Sequence, residues 1–267
     1  MKRERGTMEE SNVQEGIRIN KYLSEAGVCS RRAADREIEK GNVLINGRPA
    51  LAGDRVWKGM HVTFCGRQVK PEDEEVLIAF HKPVGVVCTA QKKEKNNIID
   101  YINYPKRIYP VGRLDKDSEG LILLTNQGDL VNKIMRAGNY HEKEYVVTVD
   151  KKITDKLLNH LRSGVYLEEL GVTTRPCKVT RKNAYTFTII LTQGYNRQIR
   201  RMCEACGYRV KRLLRVRIMN ISLGDLKSGT YRDVTPKERR GLERLTKHSY
   251  SAPQGSVGRK GREKENE

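Results

Sequence analysis

The sequence of 267 residues lacks any apolar run of the roughly eighteen residues that a membrane-spanning helix needs. Its opening stretch, MKRERGTMEESNVQEG, is polar and has no apolar core like that of a signal peptide. The sequence also lacks an internal repeat and a glycine-rich phosphate-binding loop. These absences disfavour a membrane protein and a secreted protein, so we expect a protein of the cytoplasm.

Acidic residues are few compared with basic ones, since 33 Asp and Glu stand against 52 Lys and Arg. The resulting formal charge of +19 indicates a polyanionic partner. Because the sequence has no membrane segment, RNA is favoured over an anionic membrane as that partner.

Cysteine is present without a sign of disulfide or metal chemistry. The six cysteines are scattered through a chain that has no secretory signal, so free thiols are expected. Cys203 and Cys206 form a CxxC, but no second CxxC exists and no histidine is near it in the sequence. The surrounding stretch, RRMCEACGY, has the pattern of a helix that ends at Gly207 and carries both thiols on one face. Packing is therefore favoured over a zinc or redox site.

The most informative stretch covers residues 110–126, PVGRLDKDSEGLILLTN. A charged loop bracketed by two glycines precedes an apolar run that predicts a buried strand. Arg113 and Asp115 are two residues apart, which places both side chains on one side of an extended loop. A carboxylate beside a guanidinium stays ionised and can serve as a nucleophile or proton acceptor. From the spacing alone, an ordinary loop salt bridge is the favoured explanation.

A family resemblance favours a functional role for this loop over an ordinary salt bridge. Residues 112–130, GRLDKDSEGLILLTNQGDL, resemble the signature of the RsuA family of RNA pseudouridine synthases. Three more segments agree in order and spacing: KPVG (82–85), KEYVVTV (143–149) and GYNRQIRRM (194–202). The match runs from about Ile17 to Leu245. The last motif and the stretch NKIMRAGNYHEKEY most resemble the branch of the family that acts on large-subunit ribosomal RNA.

The N-terminal part carries strong local signals. IRINKYLSEAG predicts a short helix that closes at Gly27, and Ser30 offers a cap for a second helix, SRRAADREIEKG. The pair Asn46-Gly47 lies where a tight hairpin turn needs positive φ. This helix–helix–hairpin order resembles the S4 RNA-binding module.

The residues that carry the S4 likeness are Asn20, Lys21, Ser30, Arg31, Arg32 and the run NVLINGR. Arg31 and Arg32 lie in the first turn of the second helix, where positive charge opposes the helix dipole. That placement favours a bound phosphate there, so these arginines and Lys21 are candidate RNA contacts. Solvated arginines on a surface helix are the alternative.

The predicted organisation has four parts. Residues 1–16 are a flexible lead-in, 17–75 an S4-like RNA-binding domain, 76–245 a pseudouridine-synthase catalytic domain, and 246–267 a disordered basic tail. The fold class is α+β, with a small S4-like domain and a larger domain built on a mixed, largely antiparallel sheet. That fold comes from the resemblance and agrees with many short strand patterns interrupted by helical ones.

A second informative region lies between Arg175 and Arg217. We count twelve basic residues and one acid, Glu204, within these 43 positions. Solvated faces usually mix charges of both signs, so this one-sign block favours a nucleic-acid surface.

The resemblance implies that the protein isomerises uridine to pseudouridine within RNA. The N1–C1′ bond breaks, the uracil turns in a pocket after leaving its stack, and it rejoins the ribose through C5. Asp115 matches the family's catalytic aspartate, Arg200 the basic residue that pairs with it, and Tyr145 the tyrosine that lies against the target base. Addition of Asp115 to C1′ and removal of the 2′ proton both remain open, and both begin with the carboxylate ionised.

Further candidate RNA contacts follow from the same resemblance. Arg113 is the candidate wedge or phosphate ligand beside the flipped base, and the others are Leu114, Lys116, Tyr195, Asn196, Arg197 and Gln198. No cofactor or metal is implied, because nothing is oxidised, hydrolysed or transferred to a second molecule. The expected partner is large-subunit ribosomal RNA, with a tRNA anticodon uridine as the candidate second substrate. We expect a monomer that does not associate with membranes.

Two other classes of protein stay open at this stage. One is a non-catalytic S4-type RNA-binding factor that acts in ribosome assembly; retention of Asp115, Tyr145 and Arg200 together argues against it. The other is a nucleic-acid glycosylase, which also attacks C1′ of a flipped nucleotide. Product analysis separates a glycosylase from an isomerase, because a glycosylase releases free base whereas an isomerase leaves the RNA mass unchanged.

Overall fold

The computed structural model describes residues 16–72, 74–91 and 93–250. The chain divides into two compact units, and the division falls between Glu74 and Glu75. The lead-in predicted for residues 1–16 lies outside the described residues except for Gly16, and so does the predicted tail from residue 251 onward. Within the described ranges, no helix is long and apolar enough to cross a membrane.

The first unit packs helices and short strands around one hydrophobic core. Its elements are β1 (Ile17–Arg18), α1 (Ile19–Glu25), α2 (Arg31–Glu39), β2 (Val43–Ile45), β3 (Arg48–Pro49), β4 (Arg55–Val56), β5 (Val62–Phe64) and β6 (Arg67–Gln68). The strands β3, β2, β5 and β6 form an antiparallel sheet in that order, and β1 pairs with β4. The pairing with β4 explains why the helix predicted from Ile17 begins two residues later, at Ile19.

Two predicted local features of this unit are confirmed. The Ser30 hydroxyl accepts a hydrogen bond from the backbone N–H of Ala33 at 3.2 Å, which caps α2. Asn46 and Gly47 both have positive φ, as the tight turn between β2 and β3 requires. These signals act over a few residues, so the sequence alone is enough to place them.

The second unit is built on a large mixed sheet. The strands of this unit are β7 (Leu77–Lys82), β8 (Tyr109–Val111), β9 (Glu119–Thr125), β10 (Lys143–Val149), β11 (Tyr166–Leu167), β12 (Val172–Thr173), β13 (Lys178–Arg181), β14 (Thr186–Leu191), β15 (Val210–Ile218), β16 (Ile221–Ser222) and β17 (Tyr231–Asp233). Its α-helices are α3 (Ile98–Ile102), α4 (Gly128–Met135), α5 (Asp155–Ser163), α6 (Gln198–Ala205) and α7 (Pro236–Thr246).

The strand order of the main sheet is β13-β14-β10-β15-β9-β7-β17, with β16 added to β15 and β8 added to β9. Among the described strands of this sheet, every pairing is antiparallel except that of β15 with β9. The predicted fold class, an α+β protein with a mixed and largely antiparallel sheet, is confirmed. The parallel pairing matters for function, because it brings the charged loop before β9 beside β15.

Gly120 makes this parallel contact sterically feasible. Its φ is +111°, and it pairs with Arg215 across the β9–β15 junction. A Cβ at this position would collide with the backbone of Arg215. A glycine is therefore required here both for its backbone conformation and for the close approach of the two strands.

The end of the described chain differs from the prediction of disorder from residue 246. Thr235 and Glu238 form a capping box at the start of α7, and this helix continues to Thr246, which is buried. Beyond it, the Ser249 hydroxyl lies 2.8 Å from His141 Nε2, and the Tyr250 amide donates to Asn139 at 3.2 Å. The composition of this stretch did not reveal these contacts, because each partner lies more than a hundred residues earlier.

The cysteine pair belongs to the hydrophobic core. Cys203 is buried in α6, and Cys206 at the end of α6 packs against the same cluster and lies 3.5 Å from His160 Nδ1 through its sulfur. Burial raises the pKa of the Cys203 thiol to about 12, which keeps it protonated and unreactive. Among the described residues, no three of His, Cys, Asp and Glu are grouped so that they could hold a metal ion.

Candidate active site

A cleft of about 650 Å³ opens in the second unit. Its walls come from the loop between β8 and β9, from β10 and β15, and from the segment that leads into α6. The cleft lining contains eight of the candidates from the sequence: Arg113, Leu114, Asp115, Tyr145, Tyr195, Asn196, Arg197 and Gln198. The central loop and the third motif, far apart in the chain, therefore meet at one place.

Asp115 lies in a tight turn at the cleft wall. The backbone carbonyl of Asp115 accepts a hydrogen bond from the Ser118 amide at 3.1 Å, which holds the turn. Its side chain is partly exposed, and its Oδ2 lies 4.0 Å from Nη1 of Arg197. The carboxylate is thus open to a ligand and has a guanidinium nearby.

Arg200 does not pair with Asp115, contrary to the expectation from the sequence. Its Nε lies 3.3 Å from Oδ2 of Asp117, and its Nη2 donates to the backbone carbonyl of Asp117 at 2.8 Å. Its Nη1 donates to the carbonyl of Val210 at 3.2 Å. Because Arg200 is buried in α6, it reaches the base of the loop, whereas the exposed Arg197 reaches the carboxylate of Asp115.

Asp117 joins the two arginines. Arg197 donates to both of its carboxylate oxygens, at 3.2 and 3.1 Å, in a bidentate pair. Partial burial alone would raise the pKa of Asp117. The hydrogen bond from Arg197 and the charges of Arg200 and Arg197 outweigh that effect and hold the pKa below its usual value. The loop that carries Asp115 is thus fixed to α6 by a second carboxylate, which the sequence analysis did not single out.

Tyr145 lies on β10 with its ring half-buried at the cleft. The antiparallel register sets it opposite Arg215 of β15, whose Cζ lies 6.0 Å from the centroid of the tyrosine ring. A flat aromatic ring in a cleft wall can support a stacked base.

The segment before α6 is shaped by its own hydrogen bonds. Arg197 has a left-handed backbone with φ of 51°, and α6 begins at the next residue, Gln198. Gln198 is buried, and its Oε1 accepts from the Tyr195 amide at 3.0 Å. Gln198 therefore supports the segment, while Tyr195 and Asn196 are exposed at the cleft.

The remaining candidates occupy different environments. Leu114 is buried at the cleft, Arg113 is exposed at it, and Lys116 is exposed but is not among the lining residues. In the first unit, Arg31 and Arg32 are exposed at the start of α2, whereas Lys21 lies 3.6 Å from Glu25 through its Nζ.

Three buried cations near the cleft were missed as site residues, although two of them belong to quoted motifs. Lys82 ends β7, and its Nζ donates to the carbonyls of Pro83 and Val86 at 2.8 Å each. Burial lowers the pKa of Lys82. Lys143 and Arg215 both line the cleft itself. An alternating basic pattern in β15 was the available signal for Arg215, but it does not indicate which side chains point inward.

Half of the positive charges in the basic block between Arg175 and Arg217 are neutralised by ion pairs within the fold. Six of its twelve basic residues form ion pairs with acids from outside the block: Arg181, Arg197, Arg200, Arg201, Arg212 and Arg217. The charge of half of the block is therefore balanced by acids within the fold, and the role of the block as a nucleic-acid surface stays a prediction. The acids come from distant parts of the chain, so a local charge count could not include them.

Comparisons with known proteins agree with this geometry. The family model described as RNA pseudouridylate synthase matches residues 76–205, and the S4 domain model matches residues 17–62. A relative from Escherichia coli K12, "Dual-specificity RNA pseudouridine synthase RluF", is 54% identical over 237 residues, covering 88% of this chain and 81% of the relative. "Ribosomal large subunit pseudouridine synthase B" from Bacillus subtilis is 35% identical, covering 88% of this chain and 99% of the relative.

A solved structure extends the agreement to the fold. A crystal structure of a pseudouridylate synthase is 26% identical, with a TM-score of 0.64, and the match covers 85% of this chain and 99% of the other. With a relative above 50% identity along most of its length, this chain belongs to the RsuA family and is an RNA pseudouridine synthase.

Proposed function

We propose that Asp115 is the catalytic group and that the cleft receives a uridine flipped out of its RNA stack. The observation that carries this proposal is the position of the Asp115 carboxylate, which is partly exposed beside a guanidinium in a cleft that Tyr145 also lines. The cleft volume is within the range of small-ligand pockets, so one nucleotide fits its size.

The reaction is an isomerisation whose atoms balance within the uridine. The N1–C1′ bond breaks and its electron pair stays with the uracil. After the uracil turns, C5 bonds to C1′, the C5 proton is lost, and N1 gains a proton. Asp115 serves the ribose either by adding to C1′ or by taking the 2′ proton.

The arginines have distinct roles in this proposal. Arg197 supplies a positive charge beside the Asp115 carboxylate, with 4.0 Å between its Nη1 and Oδ2. Arg200 is a positioning residue that acts through Asp117 and the backbone of the loop. Tyr145 stacks against the uracil, and Arg113 contacts the RNA backbone at the rim of the cleft.

The proposed substrate is large-subunit ribosomal RNA, with a tRNA anticodon uridine as a second substrate. The name of the Bacillus relative refers to the ribosomal large subunit, and the name of the Escherichia relative states dual specificity. We further propose that residues 17–75 act as an S4-type RNA-binding domain, residues 76–245 as the catalytic domain, and the chain as a monomer. The exposed Arg31 and Arg32 in the first turn of α2 support phosphate binding by the first domain.

The variant Asp115→Asn tests the catalytic assignment. It keeps the shape of the side chain but removes the negative charge, so pseudouridine formation in ribosomal RNA transcripts should be abolished. Losing about 5 kcal/mol of transition-state stabilisation would slow the reaction nearly ten-thousandfold. RNA affinity, measured by gel shift, should stay the same or rise slightly because a negative charge is lost.

Sustained turnover by Asp115→Asn would contradict the assignment. Mass analysis of the product gives a further check, because release of free uracil would indicate a glycosylase. Pseudouridine mapping of total RNA from cells with and without the protein would identify the substrate.

A further inference from the structure

Two buried cationic side chains in the wall of the cleft have no acidic partner among the described residues. Lys143 of β10 is 6% exposed and Arg215 of β15 is 2% exposed, and both line the cleft. Within the described residues, the hydrogen bonds of both side chains go to backbone carbonyls. Buried cations are normally paired with an anion, because desolvating an unpaired charge is costly.

The hydrogen-bonding capacity of both groups is incompletely used. Lys143 Nζ donates to the carbonyl of His141 at 3.3 Å, which occupies one of its three donors. Arg215 donates through Nε to the carbonyl of Leu121 at 2.7 Å and through Nη1 to that of Arg113 at 3.5 Å. Its Nη2 is buried and has no partner in the described structure. Both side chains can thus offer hydrogen bonds to a ligand.

The third buried cation nearby is different. Lys82 donates to two carbonyls at 2.8 Å each and does not line the cleft. Lys143 and Arg215 are therefore the two of these three cations whose unused donors a ligand in the cleft can reach.

The position of the two cations relative to Tyr145 identifies the part of the substrate they would meet. Lys143 and Tyr145 are two residues apart on β10, so their side chains share one face of the strand, and both line the cleft. Arg215 lies opposite Tyr145 in the sheet, with its Cζ 6.0 Å from the ring centroid. A base stacked on Tyr145 lies next to both cations.

We propose that Lys143 and Arg215 stabilise the uracil while it is detached from the ribose. This inference rests on the proposed function, in which the N1–C1′ bond breaks and leaves its electron pair on the base. The resulting negative charge is shared between N1 and the carbonyl oxygens O2 and O4. Lys143 and Arg215 donate hydrogen bonds to these oxygens and retain their own protons, and the charge disappears when C5 bonds to C1′.

The electrostatics of the site fit this role. Burial and the charge of Arg215 lower the pKa of Lys143 to about 8, so the ammonium is held charged at neutral pH by a small margin. A detached uracil anion would supply the negative charge that the wall lacks. Donors already in place at low dielectric give their largest benefit when charge develops in the reaction.

The variant Lys143→Met provides the first test, with Lys156→Met on the exposed surface of α5 as the matched control. Removing an unpaired buried charge should leave the protein at least as stable, so loss of folding is not an expected complication. The single-turnover rate constant on RNA should fall about a hundredfold, as for loss of one oxyanion donor. The dissociation constant for RNA should change less than about twofold, and Lys156→Met should match the wild type.

An unchanged rate constant for Lys143→Met would overturn the proposal. A loss confined to RNA affinity would also overturn it, because it would indicate a phosphate contact instead of a contact to the leaving base. Arg215→Gln is expected to show the same rate loss together with lower stability, since Arg215 also binds the backbone of the catalytic loop.

A leaving-group comparison gives the sharper test. RNA that carries 5-fluorouridine at the target position releases a more acidic base, whose anion is already stabilised by fluorine. Disappearance of the target nucleoside from nuclease digests reports N1–C1′ cleavage whatever product forms. The rate deficit of Lys143→Met should be smaller on the fluorinated RNA than on the uridine RNA, whereas equal deficits would overturn the inference.

The same experiment separates the inference from the proposed function. Pseudouridine formation by the wild type on the uridine RNA, and its loss in Asp115→Asn, test the function. The ratio of the Lys143→Met rate deficits on the uridine RNA and on the fluorinated RNA tests the proposed role of Lys143 and Arg215.

Discussion

Arg200 binds Asp117, with 3.3 Å between its Nε and Oδ2, and so supports the loop that carries Asp115 from two residues beyond it. Asp117 also receives both hydrogen bonds of Arg197. The carboxylate of Asp117 therefore holds two arginines in place: Arg200 within α6 and Arg197, the N-cap residue of α6. The proposed catalytic carboxylate of Asp115 stays partly exposed in the cleft lining.

This arrangement predicts the behaviour of Asp117→Asn. The change leaves the buried Arg200 without its anion and frees Arg197 to move. Because Asp117 is itself half-exposed, the loss of unfolding free energy should be only about 1–2 kcal/mol. Turnover should fall more than RNA affinity, since the loop is then held less firmly. Urea denaturation and single-turnover assays measure the two effects.

The exposed pair Arg181–Asp155 serves as a control for that experiment. Asp155→Asn should cost less than about 1 kcal/mol and leave turnover unchanged. If Asp117→Asn behaves in the same way, Arg200 does not position the loop through Asp117.

The pKa of Lys143 predicts a dependence of stability on pH. Its folded pKa of about 8 lies below the ordinary value of 10.5, so the unfolded chain binds more protons between these two pH values. The unfolding free energy contributed by this group should therefore rise with pH across this window and be lowest below pH 8. The shift corresponds to about 3 kcal/mol as an order of magnitude.

The measurement compares wild type with Lys143→Met by urea denaturation between pH 7.5 and pH 10. The variant should be more stable at the lower pH, and the difference should shrink as the pH rises. Burial lowers the pKa of the neighbouring His141, so that residue stays neutral across this range. A constant difference across the range would contradict the buried, charged state of Lys143.

Gly120 should tolerate no side chain. In Gly120→Ala the new Cβ meets the backbone of Arg215, and the φ of +111° is unfavourable for alanine. We expect a loss of more than about 3 kcal/mol of unfolding free energy, because both strain and a backbone shift contribute. Gly171→Ala is the control, since Gly171 also has positive φ but open space around its Cβ position, and it should cost only about 1 kcal/mol.

Removal of residues 1–74 should leave a folded second unit. That unit has its own hydrophobic clusters, and Glu75 at its start pairs with Arg239, with 2.7 Å between Oε2 and Nη1. RNA binding should weaken, because two linked modules gain from effective concentration. Circular dichroism checks the fold, and an unfolded product would contradict the independence of the units.

The salt dependence of RNA binding should be moderate. Ion pairing removes half of the basic block, so we expect about four phosphate contacts in place of the six or so that the sequence pattern suggests. Affinity should then fall about a hundredfold between about 50 and 200 mM salt, compared with about a thousandfold for six contacts. A titration by fluorescence anisotropy measures the slope, and a negligible slope would contradict an electrostatic interface.

The local features of this protein were determined by the sequence alone. The cap at Ser30, the turn at Asn46 and the capping box at Thr235 each depend on residues within a few positions of one another. The apolar run from Leu121 to Leu124 likewise predicts a buried strand wherever it is placed. The family motifs were also readable, because their residues are contiguous in the chain.

Only the tertiary structure decided which charges meet. Arg200 reaches Asp117 and not Asp115 because the position of α6 against the loop selects between two carboxylates of the same kind. Tyr145 and Arg215 become neighbours through the register of β10 with β15, and the glycine at position 120 sets how closely β15 approaches β9. Long-range strand register depends on the packing of the whole sheet, so a local pattern carries little information about it.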